Sequence, residues 1–282
     1  MVKKVTLGTK ICQALIWLVV ILMTLSCLLP LINMVAISLS SSNAVASNTV
    51  GLLPVELTFS TYEKLLNDSQ FWASFWISVQ RVVLGTIINM FFVITMAYPL
   101  SKSRLRFPAR EIYIKIVIFA MLFSGGVIPL FMVVSKLNMI NTIWALVLPG
   151  AVPVFNVILM VNFFKGVPVS LDEAASIDGA SNTRQFLTIT IPLLGPVLQM
   201  VLMNAILGSL KVTDLVLTLT NGKPSGKTEV MMTYIYKKFF GDGGASGLDF
   251  GYGAALTVVT AVILGIVTLI YLRATKKSSD VY

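Results

Sequence analysis

The sequence predicts an all-α polytopic membrane protein with six transmembrane helices. Of its 282 residues, 56% are hydrophobic and only 12% are charged, and the mean hydropathy is +0.88. The charged fraction is about half that of a soluble domain, which could not bury so much apolar surface. Apolar runs of about 20 residues also recur along the chain, and each is long enough to cross a 30 Å hydrocarbon core.

The six expected spans are separated by loops of unequal length. We place them at about 12–37, 82–100, 112–134, 143–164, 193–219 and 254–272. The second begins as early as Trp76 if its start is interfacial. The first, with Pro30 inside it, has about 26 apolar residues against the 7–15 of a signal peptide, so we expect it to remain as a span.

Basic residues predict the orientation of these spans. The net charge is +9, but the bases lie in small clusters between apolar runs, which argues against a nucleic-acid partner. If the spans alternate, the following fall on one side: Lys3, Lys4, Lys10, Lys102, Arg104, Arg106, Arg110, Lys115, Lys165, Arg184, Arg273, Lys276 and Lys277. By the positive-inside rule, this side and both termini are cytoplasmic.

The cytoplasmic segment 165–191 has the pattern of two short helices. Ser170 and Glu173 have the spacing of a capping box, which predicts a helix beginning there. Gly179 is expected to end this helix, because glycine readily adopts the left-handed conformation of a helix C-terminus. A second short helix is expected at about 182–188, before the chain returns to the membrane.

A motif in this segment resembles that of a known family. Glu173-Ala174-Ala175, Gly179, Ile189 and Ile191-Pro192 resemble the E-A-A-x-x-x-G loop, ending in I-x-L-P, of ABC importer permeases; only the leucine before the proline is changed, to Ile191. The chain after about residue 10 is similar to a type I ABC importer transmembrane domain of the maltose-permease type. The segments 123–129, 141–146 and 233–236 are similar to the branch that handles oligosaccharides and polysaccharide fragments.

The resemblance implies a domain organisation and a set of partners. Residues 1–76 would hold the N-terminal segment, first span and outer loop, 77–272 the transport domain, and 273–282 a cytoplasmic tail. The chain would pair with a second homologous permease and with two ATPase subunits, and an extracellular or periplasmic binding protein would deliver an oligosaccharide. No cofactor is expected in this chain, since ATP and Mg²⁺ would act on the ATPase. The resemblance further implies that the protein lies in the bacterial cytoplasmic membrane as a multi-pass protein surrounded by lipid.

The resemblance also implies which residues couple the permease to the ATPase. In the family, the first helix of this loop sits in a cleft of the ATPase. The matching coupling positions here are Glu173, Ala174, Ala175, Gly179 and Pro192. We add Arg184, a base on the second short helix that could meet an acidic rim; a solvated surface charge is the alternative.

Breaks and polar side chains within the spans predict the substrate pathway. Gly125-Gly126 with Pro129, and Pro149-Gly150 with Pro153, should interrupt the third and fourth spans. Interrupted backbone at membrane depth is tolerated beside protein or a water-filled cavity, although packing kinks are the alternative. Candidate pathway residues are Asn89, Trp144, Phe155, Asn156, Asn162, Asn204, Lys211 and Asp214, with Lys211 and Asp214 on one helix face. For the asparagines, hydrogen bonds between helices are the alternative.

Two other classes of function compete with an importer permease, and within that class the solute is a further alternative. A secondary transporter would need an ion-carrying group in the bilayer, and no mid-span Asp or Glu and no histidine is present. A membrane enzyme lacks an acid, base and nucleophile set. The segment 222–228 is not an ATP-binding phosphate loop, because Asn221 stands where its first glycine is required. An ABC importer permease for a non-sugar solute would share the coupling loop.

Overall fold

The computed structural model describes residues 7–103, 107–123, 125–210, 212–241 and 247–279, which form helices and loops and no strand. The helices are α1 Leu7–Ser38, α2 Ser42–Ala46, α3 Ser60–Leu66, α4 Ser69–Ser101, α5 Arg110–Leu122, α6 Val127–Lys136, α7 Ile143–Val147, α8 Val154–Gly166, α9 Val169–Ile177, α10 Asn182–Gln185, α11 Ile191–Leu193, α12 Gly195–Leu210, α13 Asp214–Leu219, α14 Met231–Phe240 and α15 Phe250–Ser279. A 3₁₀ turn at Leu148–Gly150 and a π-helical turn at Phe186–Thr190 complete them.

The number of membrane-spanning segments agrees with the sequence. Three described helices, Lys10–Ser38, Ser69–Ser101 and Phe250–Arg273, are long and apolar enough to cross a membrane. Three bent helix pairs bring the total to six when each pair counts as one span. The all-α, multi-span fold is therefore confirmed, whereas the orientation of the termini stays a prediction.

The two predicted helix breaks are present, with one correction. The third span bends by 114° before α6, where Gly126 has φ +81°, a conformation that glycine adopts without steric cost. The fourth bends by 45° between Leu148–Gly150 and α8. Pro129 does not break a helix, because it lies in the first turn of α6, where its missing N–H has no helical partner to lose.

The predicted continuous fifth span is wrong. Helix α12 ends at Leu210, and α13 begins at Asp214 after a non-helical Thr213. Lys211 lies outside the described residues, so the helix face that it was expected to share with Asp214 stays a prediction. A carboxylate is favoured at the first residue of a helix by the exposed N–H groups there, so Asp214 marks a new start.

The chain divides into two compact units: 1–68 with 235–265, and 69–234 with 266–282. In the first unit, the Ser38 hydroxyl lies 2.8 Å from the Tyr62 hydroxyl, and Lys64 forms a 3.0 Å ion pair with Asp249. The domain boundaries expected from the sequence remain a prediction.

The second unit holds an apolar core between α4, α8 and α12. Val93 and Ala97 of α4, Val157 and Met160 of α8, and Val201 of α12 are fully buried in it. Burying a large aliphatic side chain contributes about 1.5–3 kcal/mol, so this three-helix contact fixes the positions of the polar residues beside it.

Candidate functional site

The first helix of the cytoplasmic loop begins earlier than the sequence predicts. Helix α9 starts at Val169 with Pro168 before it, and no side chain caps its N-terminus. The prediction of a capping box formed by Ser170 and Glu173 is therefore wrong. Proline fixes φ near −65° and has no N–H to satisfy, so Pro168 pre-organises this start one residue ahead of Ser170.

The end of α9 is as predicted. Gly179 has φ +78°, and its N–H donates to the Ser176 carbonyl at 3.1 Å. The next N–H, of Ala180, donates to the Ala175 carbonyl at 2.9 Å. These two bonds form a Schellman motif, which satisfies the last carbonyls of the helix and turns the chain sharply.

The two helices of the loop are tied together by Gln185, which the sequence analysis missed. Its side chain is 5% exposed, and Nε2 donates to Ser176 Oγ at 3.0 Å and to the Ala180 carbonyl at 2.8 Å. Helix α10 is shorter than expected and ends at Gln185, where the π-helical turn begins. The signal available in the sequence was a polar residue four positions after the Ser181 N-cap, which is too common to single out.

The coupling residues expected from the resemblance do not share one surface. Glu173, Ala174 and Arg184 are exposed, whereas Ala175 is buried within the chain at 8% exposure. Gly179 and Pro192 are exposed as well. The loop also exposes large apolar side chains, most fully Ile177 at 87%. An exposed helix with an apolar tip is typical of a surface that another protein covers.

A cleft of about 510 Å³ lies beside this loop. Its lining includes Glu173, Lys102, Arg110 and Lys165. Arg110 is positioned by a 2.8 Å hydrogen bond from Nε to the Leu100 carbonyl, and the Lys102 ammonium lies 4.6 Å from the centre of the Tyr98 ring. The cleft is therefore basic, with Glu173 as its acidic group among the lining residues.

A second cavity, of about 270 Å³, lies among α4, α8, α12 and the break in the fourth span. Four of the predicted pathway residues line it: Asn89, Phe155, Asn156 and Asn204. Phe155 is 63% exposed, so its ring is available to a ligand. The structure thus brings together residues from three helices that are far apart in the sequence.

The asparagines of this cavity differ in their hydrogen bonds. Asn204 Nδ2 donates to Asn156 Oδ1 at 2.8 Å, which joins α12 to α8. Asn89 Nδ2 lies 3.4 Å from the Gly150 carbonyl, while within the described part of the chain its buried Oδ1 has no donor. The Asn156–Asn204 pair agrees with the structural alternative, and Asn89 retains an acceptor that a ligand can use.

Arg81 also lines this cavity, and sequence reasoning missed it. It is 6% exposed; Nε donates to the Leu146 carbonyl at 3.1 Å, and Nη1 donates to the Ser209 carbonyl and lies 3.2 Å from Ser209 Oγ. Both carbonyls lie at helix C-terminal ends, where the backbone lacks helical donors and the dipole favours a cation. The signal was a single base immediately before the apolar run 82–100, a position where a base also suits the end of a span.

The remaining pathway candidates lie elsewhere. Trp144 is 45% exposed on α7 and Asn162 is exposed on α8, and neither lines the cavity. Asp214 lines a separate cavity of about 370 Å³ with residues of α6 and α13. Lys211 lies outside the described residues. Asp214 lies away from Asn204 because the non-helical residues 212–213 come between α12, which carries Asn204, and α13, which begins at Asp214.

Comparisons with known proteins agree with these features. No protein-family model matches the chain. It is 36% identical over 184 residues to the polygalacturonan/rhamnogalacturonan transport system permease protein YtcP of Bacillus subtilis (strain 168), covering 65% of this chain and 64% of that protein. It is 38% identical over 114 residues to an ABC transporter permease protein, ORF1, of Caldicellulosiruptor sp. (strain Rt8B.4), covering 40% of this chain and 76% of that protein.

The fold comparison extends over more of the chain. A chain from the crystal structure of a bacterial ABC transporter involved in the import of the acidic polysaccharide alginate matches with a TM-score of 0.84 and 26% identity, over 95% of this chain and 98% of that one. Three curated Bacillus subtilis relatives are spanned over only 57%, 64% and 65% of their length. With its multi-span fold and its E-A-A loop, the chain belongs to the ABC transporter permease family.

Proposed function

We propose that this chain is a permease subunit of an ATP-driven importer, that it forms half of the translocation pathway for an oligosaccharide, and that it couples the pathway to a separate ATPase. As an ABC transporter permease it is a multi-pass protein of the bacterial cytoplasmic membrane. The observation that carries the proposal is the loop 165–191, whose E-A-A helix is closed by Gly179 and exposes Glu173, Ala174 and Ile177.

The length of α9 supports its coupling role. It has nine residues, and helices this short are marginal in water unless something holds them. The Schellman motif and Gln185 hold one side of it, and Ala175 is buried there. The opposite side presents Glu173 and Ala174, which a cleft in the ATPase would cover.

The chain itself would be non-catalytic in this assembly. It would pair with a second homologous permease and two ATPase subunits, which would bind ATP and Mg²⁺, so the complex is a hetero-oligomer. A binding protein outside the membrane would deliver the substrate. The oligosaccharide class is supported by the names of the relatives and by amides and an aromatic ring in the 270 Å³ cavity, which suit sugar hydroxyls and ring faces.

The first test is a charge reversal in the coupling loop. In Glu173→Lys the permease should insert at wild-type abundance, because Glu173 is exposed and caps nothing that the structure shows. ATPase co-purification and ATP-dependent uptake should both fall about tenfold, as for loss of a charge pair at an interface.

The matched control is Glu63→Lys, which reverses an exposed charge in the first turn of α3, outside the loop. This control should retain ATPase attachment and uptake. Wild-type attachment and uptake in Glu173→Lys would reject the coupling role, and the absence of ATP-dependent uptake of any saccharide by the reconstituted wild-type complex would reject the importer.

A further inference from the structure

Arg81 is a buried cation without an ionic partner. It is 6% exposed, and within the described part of the chain no carboxylate forms an ion pair with it; the residues that line its cavity include no acid. A buried charge is expensive unless it is paired, so a lone guanidinium in this position calls for an explanation.

Its hydrogen bonds explain part of this arrangement. Two of its three acceptors, the Leu146 and Ser209 carbonyls, carry the partial negative charge of helix C-terminal ends, which compensates a fraction of a full positive charge. These bonds use Nε and Nη1. Nη2 has no hydrogen-bond partner among the described residues, although a guanidinium has five N–H donors in one plane.

Arg81 lines a cavity that has other features of a saccharide pocket. Asn89 Oδ1 is buried without a donor, and the exposed ring of Phe155 lines the same cavity. At about 270 Å³ the cavity is slightly below the 300–1,000 Å³ of common ligand pockets, which suits one ring of a longer chain. The pocket therefore offers a cation, a hydrogen-bond acceptor and an aromatic face.

We propose that Arg81 is the specificity-determining residue of this pathway, and that it binds a sugar carboxylate, so that the imported oligosaccharide contains uronic acid units. This inference rests on the proposed function, because it names the substrate class of the same pathway. A carboxylate balances the positive charge of Arg81 and accepts hydrogen bonds from its planar guanidinium, whereas a neutral sugar leaves the charge unpaired.

The position of Arg81 along α4 suits a site near the outer mouth. Nineteen residues separate it from Leu100, which is about 29 Å of helix and close to the full hydrocarbon thickness. In the predicted orientation, Leu100 is at the cytoplasmic end, so Arg81 is near the outer one. A carboxylate can reach this depth with little loss of hydration before it meets the guanidinium.

The test compares three trisaccharides on the purified permease complex in nanodiscs, without binding protein, by saturation-transfer NMR. Trigalacturonate carries carboxylates, its methyl ester is the neutral analogue of the same shape, and galactotriose lacks the carboxyl groups altogether. The wild-type complex should bind trigalacturonate at least about tenfold more tightly than either neutral probe. Equal binding of the acid and its ester by the wild-type complex would overturn the proposal without any variant.

Two substitutions separate a selecting role from a merely structural one. Arg81→Gln should lose at least about tenfold in affinity for trigalacturonate and little for galactotriose, and Arg81→Lys should fall between, since it keeps the charge but not the fork. Thr95→Ala, which changes an exposed side chain of α4 that does not line this cavity, should leave the acid-to-neutral ratio unchanged.

A structural role alone would lower both affinities together and leave their ratio at the wild-type value in Arg81→Gln. That result would overturn the proposal. ATP-dependent uptake of galactotriose in preference to trigalacturonate would also overturn it while leaving the importer function in place, whereas no uptake of either saccharide would count against the importer itself.

Discussion

Gly179 is the residue at which local conformation matters most for the coupling loop. Its φ is +78°, and a Cβ added there would meet nothing within 4 Å, so the cost of a side chain is conformational and not steric. Gly179→Ala should destabilise the end of α9 by about 1 kcal/mol. The amide of Ala180, which donates to Ala175, should then exchange hydrogen about fivefold faster.

Gly166→Ala is the control for this prediction. Gly166 ends α8, also has open space around it, and does not need a positive φ. Its exchange pattern should match the wild type. Unchanged exchange at Ala180 in Gly179→Ala would show that the Schellman motif does not limit the opening of the loop.

A second residue-scale prediction concerns the bond between Asn156 and Asn204. Asn156 is 2% exposed, whereas Asn204 is exposed, so the two partners are not equivalent. Asn204→Ala leaves the buried Asn156 amide without its donor, and should lower the free energy of unfolding by about 0.6–2 kcal/mol. A double-mutant cycle with Asn156→Leu, followed by unfolding in mixed detergent, measures the coupling energy; a coupling of zero would show that the bond contributes no stability.

At the scale of the elements, the prediction is that Gln185 holds α9 against α10. Gln185→Leu keeps the volume of the side chain but removes both of its hydrogen bonds, to Ser176 and Ala180. Each bond contributes about 1 kcal/mol to stability, and leaving the Ser176 hydroxyl and the Ala180 carbonyl without this donor destabilises the contact further. Co-purification of the ATPase should therefore fall severalfold while membrane abundance stays unchanged.

Thr183→Ala is the control at this scale, because Thr183 is exposed on α10, two positions before Gln185. It should retain the ATPase. Full attachment in Gln185→Leu would mean that the partner cleft, and not the contact within the chain, orders the two helices.

At the scale of the whole molecule, the orientation of the six spans is open to direct test. With Cys12 and Cys27 replaced by serine, we expect external maleimide to label Ser47→Cys and Ser225→Cys in sealed cells and to miss Ser103→Cys. All three positions are exposed, so accessibility within the protein does not decide the result. Labelling of position 103 from outside would reverse the topology that the basic cluster at 102–115 predicts.

The sequence by itself determined the features that depend on neighbouring residues. The length of the apolar runs gives the number of spans, because each must cross the same 30 Å of hydrocarbon. Gly126 and Gly179 mark a bend and a helix end, because their backbone conformation is one that other residues avoid. The family motif, too, is contiguous enough to be recognised without a structure.

Only the tertiary structure decided which polar residues meet. Arg81, Asn156 and Asn204 are 48 or more positions apart in the sequence, and they share one cavity because α4, α8 and α12 pack their apolar faces together. Packing also separated Trp144 and Asp214 from that cavity and buried Ala175 inside the loop. Hydropathy records how apolar a helix is, but the side it turns toward its neighbours depends on contacts that no local pattern contains.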